Sequence, residues 1–261
     1  MIKAIFLDID GTLVSFKTHE IPASTVEALT LAKQKGIKIF IATGRPPQII
    51  TNLGSITHLI DGYMTTNGAY CYIGQQTVRL TSISPSDVAF AMQQFAQWNA
   101  AVVVVGKDGM ALHHRNALYD ALFQEMLDID NIYEDPTMVE HLLQGPVTQL
   151  TPFITPEQEA SLMPHLPSCT SGRWHSQFTD ITSCEADKGL GLEAMANALG
   201  IALEETMAFG DGGNDMTIIR KAGIGVAMGN AWDELKAEAD YVTESVDDDG
   251  IINALRHFNL I

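Results

Sequence analysis

The feature that most constrains the fold of this chain is a regular alternation between short apolar runs and amphipathic segments of helical periodicity. The apolar runs are almost continuously hydrophobic, which is typical of strands in a parallel sheet that is covered on both faces. Strands that alternate with helices predict an α/β fold with an open, doubly wound, mostly parallel sheet. The predicted strands are Ala4–Leu7, Ile37–Ala42, Gly62–Thr66, Thr206–Phe209, Gly223–Ala227 and Tyr241–Val242, and the predicted helices are Ala23–Lys35, Lys188–Leu199, Asp215–Ala222, Asp233–Ala239 and Gly250–Phe258.

The alternation is interrupted by residues 82–184, which carry their own helices and hairpins. A segment of this size can bury a core of its own, so it predicts an α+β domain inserted into a core made of residues 1–81 and 185–261. Gly106-Lys107-Asp108-Gly109 separates two apolar runs and predicts a β-hairpin. The predicted helices of the insertion are Val88–Trp98, Leu118–Leu127 and Pro156–Met163, and its strands are Ala101–Val105, Met110–His113, Val147–Ile154, Cys169–Trp174 and Gln177–Thr182.

The charge of the chain limits its partners. Asp and Glu number 32 against 15 Lys and Arg, and the formal net charge of −17 repels nucleic acid and anionic lipid headgroups. Three cysteines lie far apart without a CxxC pair, which predicts reduced thiols rather than a disulfide framework. No apolar run approaches the roughly 20 residues that span a bilayer. We therefore expect a cytoplasmic monomer that binds neither nucleic acid nor membranes.

The strongest chemical signal is Asp8-Ile9-Asp10-Gly11-Thr12, directly after the first predicted strand. Residues two apart on an extended chain share a face, so Asp8 and Asp10 lie together at the end of the strand where ligands of open α/β sheets bind. Two crowded carboxylates favour a metal cation or a shared proton. One carboxylate can attack phosphorus while the other serves as general acid and base. The alternative is an acidic turn that only closes the strand.

Two further segments offer groups that hold an anion. Thr43-Gly44-Arg45 follows the second strand at the predicted start of a helix, where a hydroxyl and backbone amides favour phosphate oxygens, and Arg45 either adds charge or pairs structurally. Lys188 opens the first helix after the insertion, which is unfavourable for a cation unless it neutralises charge between nucleophile and phosphate. Plain capping by Thr43 and an exposed Lys188 beside a capping Asp187 are the structural alternatives.

The segment Gly210-Asp211-Gly212-Gly213-Asn214-Asp215 follows another predicted strand and leads into a helix. Mg²⁺ prefers hard oxygen ligands and takes one or two protein carboxylates together with water and substrate phosphate. Asp211 is the better direct ligand, Asp215 can orient it or a bound water, and Asn214 can bond a phosphate oxygen or Asp8. A structural turn is the alternative. Because these segments belong to one predicted sheet, we expect them to converge at one edge of it.

In this order, the motifs DIDGT, ATGR, DKG and GDGGND resemble those of the haloacid dehalogenase superfamily of phosphohydrolases. The Thr66-Asn67-Gly68-Ala69 segment and the placing of the insertion between the second and third motifs resemble the Cof-like sugar phosphatase branch, which carries a type IIB cap. The resemblance covers residues 1–81 and 185–261. The insertion is similar to the cap in layout more than in sequence.

The resemblance implies roles for the acidic residues. Asp8 is expected to be the nucleophile, which forms an aspartyl phosphate, and Asp10 the general acid and base. The expected Mg²⁺ site consists of Asp8, the main chain of Asp10, and Asp211, with support from Asp215. The implied activity is magnesium-dependent hydrolysis of small phosphate monoesters, with hexose and pentose phosphates favoured.

The substrate phosphate is expected to be held by Thr43, Gly44, Arg45, Lys188 and Asn214, with Thr43 and Lys188 counted among the catalytic residues. Two other functions remain open on the same scaffold: a phosphosugar mutase, and a non-catalytic phosphate-binding protein. Selectivity is expected to lie in the insertion, and flavin or pyridoxal phosphates remain possible substrates. The side chains there that are candidates for contacting the leaving group, with none preferred, are His113, His114, Arg115, Arg173, Trp174 and His175.

Overall fold

The structure is a computed structural model that describes residues 1–122 and 132–261, and it divides into two compact units. The core unit comprises Met1–Arg79 and Asp187–Ile261, and the inserted unit comprises Leu80–Ala186. The sequence placed both junctions two residues further into the insertion, at 81/82 and 184/185. None of the helices in the described ranges is long and apolar enough to cross a membrane.

Most strands of the core unit lie close to the predicted runs. The strands are β1 (Ala4–Leu7), β2 (Lys38–Ala42), β3 (Gly62–Thr65), β4 (Tyr70–Ile73), β5 (Gln76–Leu80), β6 (Val102–Gly106), β7 (Gly109–His113), β8 (Val147–Pro152), β9 (Cys169–His175), β10 (Phe178–Ser183), β11 (Thr206–Gly210), β12 (Ile224–Ala227) and β13 (Tyr241–Val242). The helices are α1 (Ala23–Gln34), α2 (Pro85–Gln97), α3 (Ala117–Tyr119), α4 (Pro136–Gln144), α5 (Pro156–Leu162), α6 (Lys188–Leu199), α7 (Met216–Lys221), α8 (Asp233–Glu238) and α9 (Gly250–His257).

The core sheet has the strand order β13-β12-β11-β1-β2-β3-β4-β5, and its neighbours are parallel from β13 to β3. The predicted α/β fold with a doubly wound, mostly parallel sheet is therefore confirmed. In the centre, Leu7 of β1 lies opposite Phe209 of β11 on one side and Ile41 of β2 on the other. The carboxyl ends of these three strands thus lie side by side. Strands β2 and β3 are added on one side of β1, and β11 to β13 are added on the other, so this is the topological switch point of the sheet.

Helices pack on both faces of the core sheet, which explains why its strands are continuously apolar. Ile5 and Leu7 of β1 pack into one buried cluster with side chains of α1 and α9. Phe6, their neighbour on the opposite face, packs into a second buried cluster with side chains of α6 and α7. Every side chain of β1 is therefore removed from water, and no polar position can be tolerated within it.

The sheet of the inserted unit has the order β7-β6-β8-β10-β9, and its neighbouring strands are antiparallel. One face of this sheet is apolar: Val102, Leu150 and Ile181 pack into a buried cluster with side chains of α2, α4 and α5. The opposite face carries Gln149 and Thr151 of β8. The β6 residues opposite them are buried valines, so this second face carries both polar and apolar side chains.

Three elements differ from the sequence prediction. Strands β4 and β5 were missed: β5 lies at the edge of the sheet with side chains that are half-buried or exposed, and three of the four side chains of β4 are half-buried as well. Helix α4 was missed as well, although Asp135 caps it and Pro136 occupies its first position. The predicted helix Leu118–Leu127 lies partly outside the described residues, which contain only its beginning, in α3 and Asp120–Leu122.

The prediction of a helix that begins at Thr43 is wrong. Between β2 and β3 the chain forms a 3₁₀ turn over Pro47–Ile49, which Pro46 precedes, and a second over Thr57–Leu59. Two successive prolines remove two backbone donors and favour an extended residue before each, so a regular helix does not begin there. The helix-dipole argument for anion binding at Thr43 therefore does not apply.

Both junctions of the insertion contact Gly68 in the core unit. The Arg79 side chain donates a hydrogen bond from Nε to the Gly68 carbonyl oxygen at 3.2 Å. On the other side, a Cβ added to Gly68 would lie 2.4 Å from the carbonyl oxygen of Asp187. Gly68 also has a φ of +86°, so no other residue fits there without strain.

Candidate active site

Three carboxylates lie together beyond the ends of β1 and β11. Asp8 follows β1, and Asp211 and Asp215 follow β11, its parallel neighbour. Each carboxylate offers an oxygen that lies within 4.8 Å of the others, and all three residues are buried. The expected convergence of the first and fourth motifs is thus seen as direct proximity of their side chains.

Lys188 lies within this group of carboxylates and is only 1% exposed. Its ammonium donates to Asp8 Oδ1 at 2.7 Å and to Asp215 Oδ1 at 2.5 Å. Asp187 caps the helix that begins at Lys188 by accepting a hydrogen bond from the Leu190 amide at 2.8 Å. Burial by itself lowers the pKa of the Lys188 ammonium, but Asp215 and Asp8 together raise that pKa above its usual value.

The negative charge of the carboxylates in this site exceeds the positive charge beside them. Burial, together with the neighbouring Asp215, raises the pKa of Asp8 to about 8 in spite of Lys188. Burial likewise raises the pKa of Asp211 to about 7, again with a contribution from Asp215. Lys188 supplies one positive charge against three carboxylates. A hard divalent cation therefore fits the donor set by charge and by ligand chemistry.

Asp215 holds the loop that carries Asp211. Its Oδ2 atom accepts hydrogen bonds from the backbone amides of Asp211 and Gly212, both at 3.0 Å. Its Oδ1 atom is bonded to Lys188, so both oxygens are engaged. This geometry fits an orienting role for Asp215 better than that of a direct metal ligand, and it leaves Asp8 and Asp211 as the carboxylates placed to bind a cation.

Two residues that sequence reasoning did not single out also fix Asp211. Thr12 donates from its hydroxyl to Asp211 Oδ1 at 3.2 Å, and Asn230 donates from Nδ2 to Asp211 Oδ2 at 3.4 Å and to the Gly11 carbonyl oxygen at 2.8 Å. The Gly11 backbone has a φ of +83°, and a Cβ added there would lie 2.2 Å from Asp211 Oδ2. Thr12 was quoted within its motif and could have been found there, whereas the Gly-Asn pair at Asn230 has no distinctive pattern.

Asp10 and Arg45 form a two-point ion pair. The guanidinium donates from Nε to Asp10 Oδ2 at 2.8 Å and from Nη2 to Asp10 Oδ1 at 2.6 Å. Arg45 is held from behind by the Ile49 carbonyl oxygen, which accepts from Nη1 at 3.2 Å. Both residues are partly exposed. The Asp10 carboxylate is thus bonded by Arg45 and does not belong to the three-carboxylate group; a metal contact from its main chain stays a prediction.

The remaining predicted residues, Thr43, Gly44 and Asn214, lie around Asn67. Asn67 donates its backbone amide to the Thr43 carbonyl oxygen at 3.0 Å, and its Oδ1 accepts from Asn214 Nδ2 at 3.0 Å. A Cβ added to Gly44 would lie 3.1 Å from the same Asn67 oxygen. The Thr43 hydroxyl, which is buried, accepts the Arg45 amide at 3.1 Å. Asn67 therefore links the second and fourth motifs.

The chain belongs to the haloacid dehalogenase-like hydrolases, whose family model it matches over residues 5–255. Among solved structures, the HAD subclass IIB sugar phosphatase BT4131 is 44% identical with a TM-score of 0.88, over 99% of this chain and 100% of that one. The phosphatase BT1666 of Bacteroides thetaiotaomicron is 33% identical with a TM-score of 0.87, over 100% of this chain and 96% of that one. This protein is thus an enzyme of that family, a phosphoric monoester hydrolase.

A relative from Bacillus subtilis adds a second kind of phosphate ester to the comparison. The 5-amino-6-(5-phospho-D-ribitylamino)uracil phosphatase YcsE is 26% identical to this chain, over 99% of it and 96% of its own length. The similarity to each of these proteins extends across both the core unit and the inserted unit.

Proposed function

We propose that this enzyme is a magnesium-dependent phosphatase that hydrolyses small sugar phosphates through a phosphoryl group carried on Asp8. The observation that carries the proposal is the buried Lys188 ammonium, bonded to Asp8 and Asp215 beside Asp211. A nucleophilic carboxylate needs its negative charge offset before a phosphate dianion can approach it, and the Lys188 ammonium supplies a positive charge beside Asp8.

The chemistry then follows from the positions of the carboxylates. Asp8 attacks phosphorus, the bond to the leaving oxygen breaks, and Asp10 gives that oxygen a proton. Asp10 then takes a proton from water, which attacks phosphorus and releases Asp8 and phosphate. Asp10 has to give up one of its two Arg45 contacts to transfer a proton. Mg²⁺ bound by Asp8, Asp211 and the Asp10 main chain would neutralise charge on the phosphate oxygens.

The proposed substrate class rests on the relatives and on the inserted unit. BT4131 is described as a sugar phosphatase, and YcsE acts on a phosphorylated ribityl compound. We infer that the inserted unit selects among such esters. With a net charge of −17, we further expect a cytoplasmic monomer whose partner is a small phosphate ester and not a nucleic acid.

Release of inorganic phosphate from a panel of sugar phosphates, nucleotides and cofactor phosphates tests this function. Release that requires Mg²⁺, stops with EDTA and is strongest for a few sugar phosphates is the expected result. Asp8→Asn should reduce it by roughly 10⁴-fold or more, because the nucleophile is lost. Asp61→Asn, which changes a carboxylate bonded to Lys33 and to the Ile39 amide, is the matched control and should stay within a fewfold of the native enzyme.

Two results would contradict the proposal. Transfer of phosphate to another hydroxyl of the same sugar without release would indicate a mutase. Binding of sugar phosphates with no turnover in the presence of Mg²⁺ would indicate a non-catalytic phosphate-binding protein.

A further inference from the structure

The turn formed by Thr66, Asn67 and Gly68 in the core unit has an unusual backbone. The three residues have φ values of +51°, +52° and +86°, so three successive residues adopt the left-handed conformation. Asparagine and glycine do so at little cost, whereas a β-branched threonine is strained there. Strain of this kind persists where the surrounding structure fixes it, and it is concentrated at functional sites. The backbone of this turn therefore indicates a function beyond reversal of the chain.

The turn is hydrogen-bonded to the second motif. Thr66 donates its backbone amide to the Arg45 carbonyl oxygen at 3.1 Å, and Asn67 donates its backbone amide to the Thr43 carbonyl oxygen at 3.0 Å. These two bonds hold the left-handed residues directly beside the segment that is expected to bind the substrate phosphate.

The same turn packs against the third motif through Gly68. A Cβ added to Gly68 would lie 2.4 Å from the Asp187 carbonyl oxygen and 3.3 Å from the Lys188 backbone nitrogen. Lys188 in turn donates from its ammonium to Asp8 at 2.7 Å. The turn is therefore connected to the proposed nucleophile through the start of one helix, and all of these residues belong to the core unit.

The side chain of Asn67 lies between Gly44 and Asn214. Its Oδ1 accepts a hydrogen bond from Asn214 Nδ2 at 3.0 Å. A Cβ added to Gly44 would lie 3.1 Å from that oxygen and 3.4 Å from Asn67 Nδ2. Nδ2 itself donates to none of the residues that the structure describes, and Asn67 is half-buried. Its amino group thus keeps two donors, held in a fixed place beside the glycine of the second motif.

We propose that Asn67 is a further substrate-binding residue, which donates from Nδ2 to an oxygen of the phosphoryl group. The inference deepens the proposed function and rests on it. A group that only donates fits the oxygens of a phosphate ester, which act as acceptors. The Lys188 ammonium is already shared by Asp8 and Asp215, so neutral donors have to supply further contacts to the phosphate.

The discriminating experiment compares two substitutions at this position. Asn67→Gly removes the amide and suits a φ of +52°, whereas Asn67→Asp keeps the oxygen that accepts from Asn214 but replaces the donor with a charged oxygen. Release of phosphate from glucose 6-phosphate and from p-nitrophenyl phosphate is measured with the full chain and Mg²⁺. Asn259→Gly and Asn259→Asp are the matched controls, because Asn259 is an exposed asparagine of the core unit with a φ of +56°.

We expect Asn67→Gly to lower kcat/KM by about tenfold, and by the same factor for both esters, because they share only the phosphoryl group. Asn67→Asp should lower kcat/KM by about 100-fold or more, because its carboxylate repels the phosphate. The Asn259 variants should stay within about twofold of the native enzyme, since substitutions on the surface have small effects.

Two results would overturn the contact. If Asn67 only supported Asn214, Asn67→Asp would keep the native rate, because the supporting oxygen is still present. Losses that differ between the two esters would assign Asn67 to the leaving group instead of the phosphoryl group.

A binding measurement separates this inference from the proposed function. Both Asn67 variants should keep a Tm within about 2 °C of the native value, since the left-handed conformation accepts glycine and aspartate. If no ester were hydrolysed, the proposed function would fail, and the rise in Tm caused by inorganic phosphate would still decide the contact. A smaller rise in Asn67→Gly than in the native protein supports it, and an equal rise, or none in the native protein, overturns it.

Discussion

The polar clusters of the two units differ in charge and in how the chain builds them. In the core unit, Asp8 and Asp211 come from loops beyond the ends of parallel strands, and Lys188 joins them from the start of a helix. In the inserted unit, Gln149 and Asp180 lie within antiparallel strands and are brought together by register. One cluster has several charges, whereas the other has an amide and one carboxylate.

The difference indicates a division of labour. Buried charges that are not fully compensated have perturbed pKa values and are suited to bind a cation and to transfer groups. A neutral amide fixed in a sheet has no such reactivity. We therefore expect substitutions and pH changes to affect turnover and the free energy of unfolding more in the core unit than in the inserted unit.

The largest effect is expected for Lys188→Met. The substitution leaves Asp8 and Asp215 without their buried cation, which should lower the free energy of unfolding by about 3–5 kcal/mol and phosphate release by roughly 10²–10³-fold. Urea unfolding and a phosphate-release assay measure the two effects. Lys33→Met breaks a partly exposed pair with Asp61 and should cost about 1 kcal/mol or less without loss of turnover. Similar losses in both variants would show that burial of Lys188 has no special role.

A pair of glycine substitutions tests the tight packing around Asp211. Gly11 and Gly36 both have a φ of +83°, but nothing lies within 4 Å of a Cβ added to Gly36. Gly36→Ala should therefore cost only the backbone strain, about 1 kcal/mol. Gly11→Ala must also displace the Asp211 carboxylate, and we expect about 2–3 kcal/mol and at least a tenfold weaker response to Mg²⁺. Thermal unfolding and Mg²⁺ titration of turnover check both, and an unchanged Mg²⁺ response in Gly11→Ala would contradict the packing argument.

The pH dependence of stability should reveal the excess charge of the core unit. Because the folded-state pKa of Asp8 is raised to about 8, the folded protein binds more protons than the unfolded chain above pH 4 or so. Without Mg²⁺, the free energy of unfolding should fall as the pH rises from about 5 to about 8, because the folded protein keeps the Asp8 proton that the unfolded chain has released. Asp8→Asn should flatten this slope, as should added Mg²⁺. A slope that Asp8→Asn leaves unchanged would assign the effect to other groups.

The smallest effect is expected in the inserted unit, with the opposite sign. Burial raises the pKa of Asp87, but hydrogen bonds from the Ser168 hydroxyl and amide, at 2.6 and 3.0 Å, outweigh it and lower the pKa below its usual value. Its contribution is present above the unfolded-state pKa and is lost as the pH falls through the folded-state pKa. Asp87→Asn should cost about 1 kcal/mol at neutral pH and less in acid, without changing turnover of p-nitrophenyl phosphate. Urea unfolding at several pH values measures this, and a loss that grows in acid would contradict it.

Much of the core unit follows from its sequence because periodicity and position coincide there. The strand Ala4–Leu7 and the helix Lys188–Leu199 have the bounds that their apolar patterns predict. Site residues that directly follow a parallel strand are predictable for the same reason, since strand ends meet at one edge. The edge strand β5 lacks such a pattern, because polar residues interrupt it and none of its side chains is fully buried.

Contacts that depend on register or on side-chain direction could not be predicted. The pairing of Asp10 with Arg45 requires knowing that a 3₁₀ turn, rather than a helix, follows β2. Arg173, a candidate for contacting the substrate, instead bonds Glu159 and the carbonyl oxygens of Ile154 and Ser176. Gln149 was not among the predicted site residues, because an amide within a strand belongs to no recognisable motif. That its side-chain oxygen is unpaired among the described residues can be known only once the neighbouring side chains are placed.

The contacts of Gly68 with both Arg79 and Asp187 have a consequence for how such enzymes diverge. Because the chain leaves the core and returns to it beside one residue, a segment of almost any length can be accommodated there without re-routing a core strand. The coding sequence for residues 80–186 can then lengthen, shorten or be exchanged as a single block. Related enzymes can in this way acquire new substrate ranges while they keep the same catalytic residues.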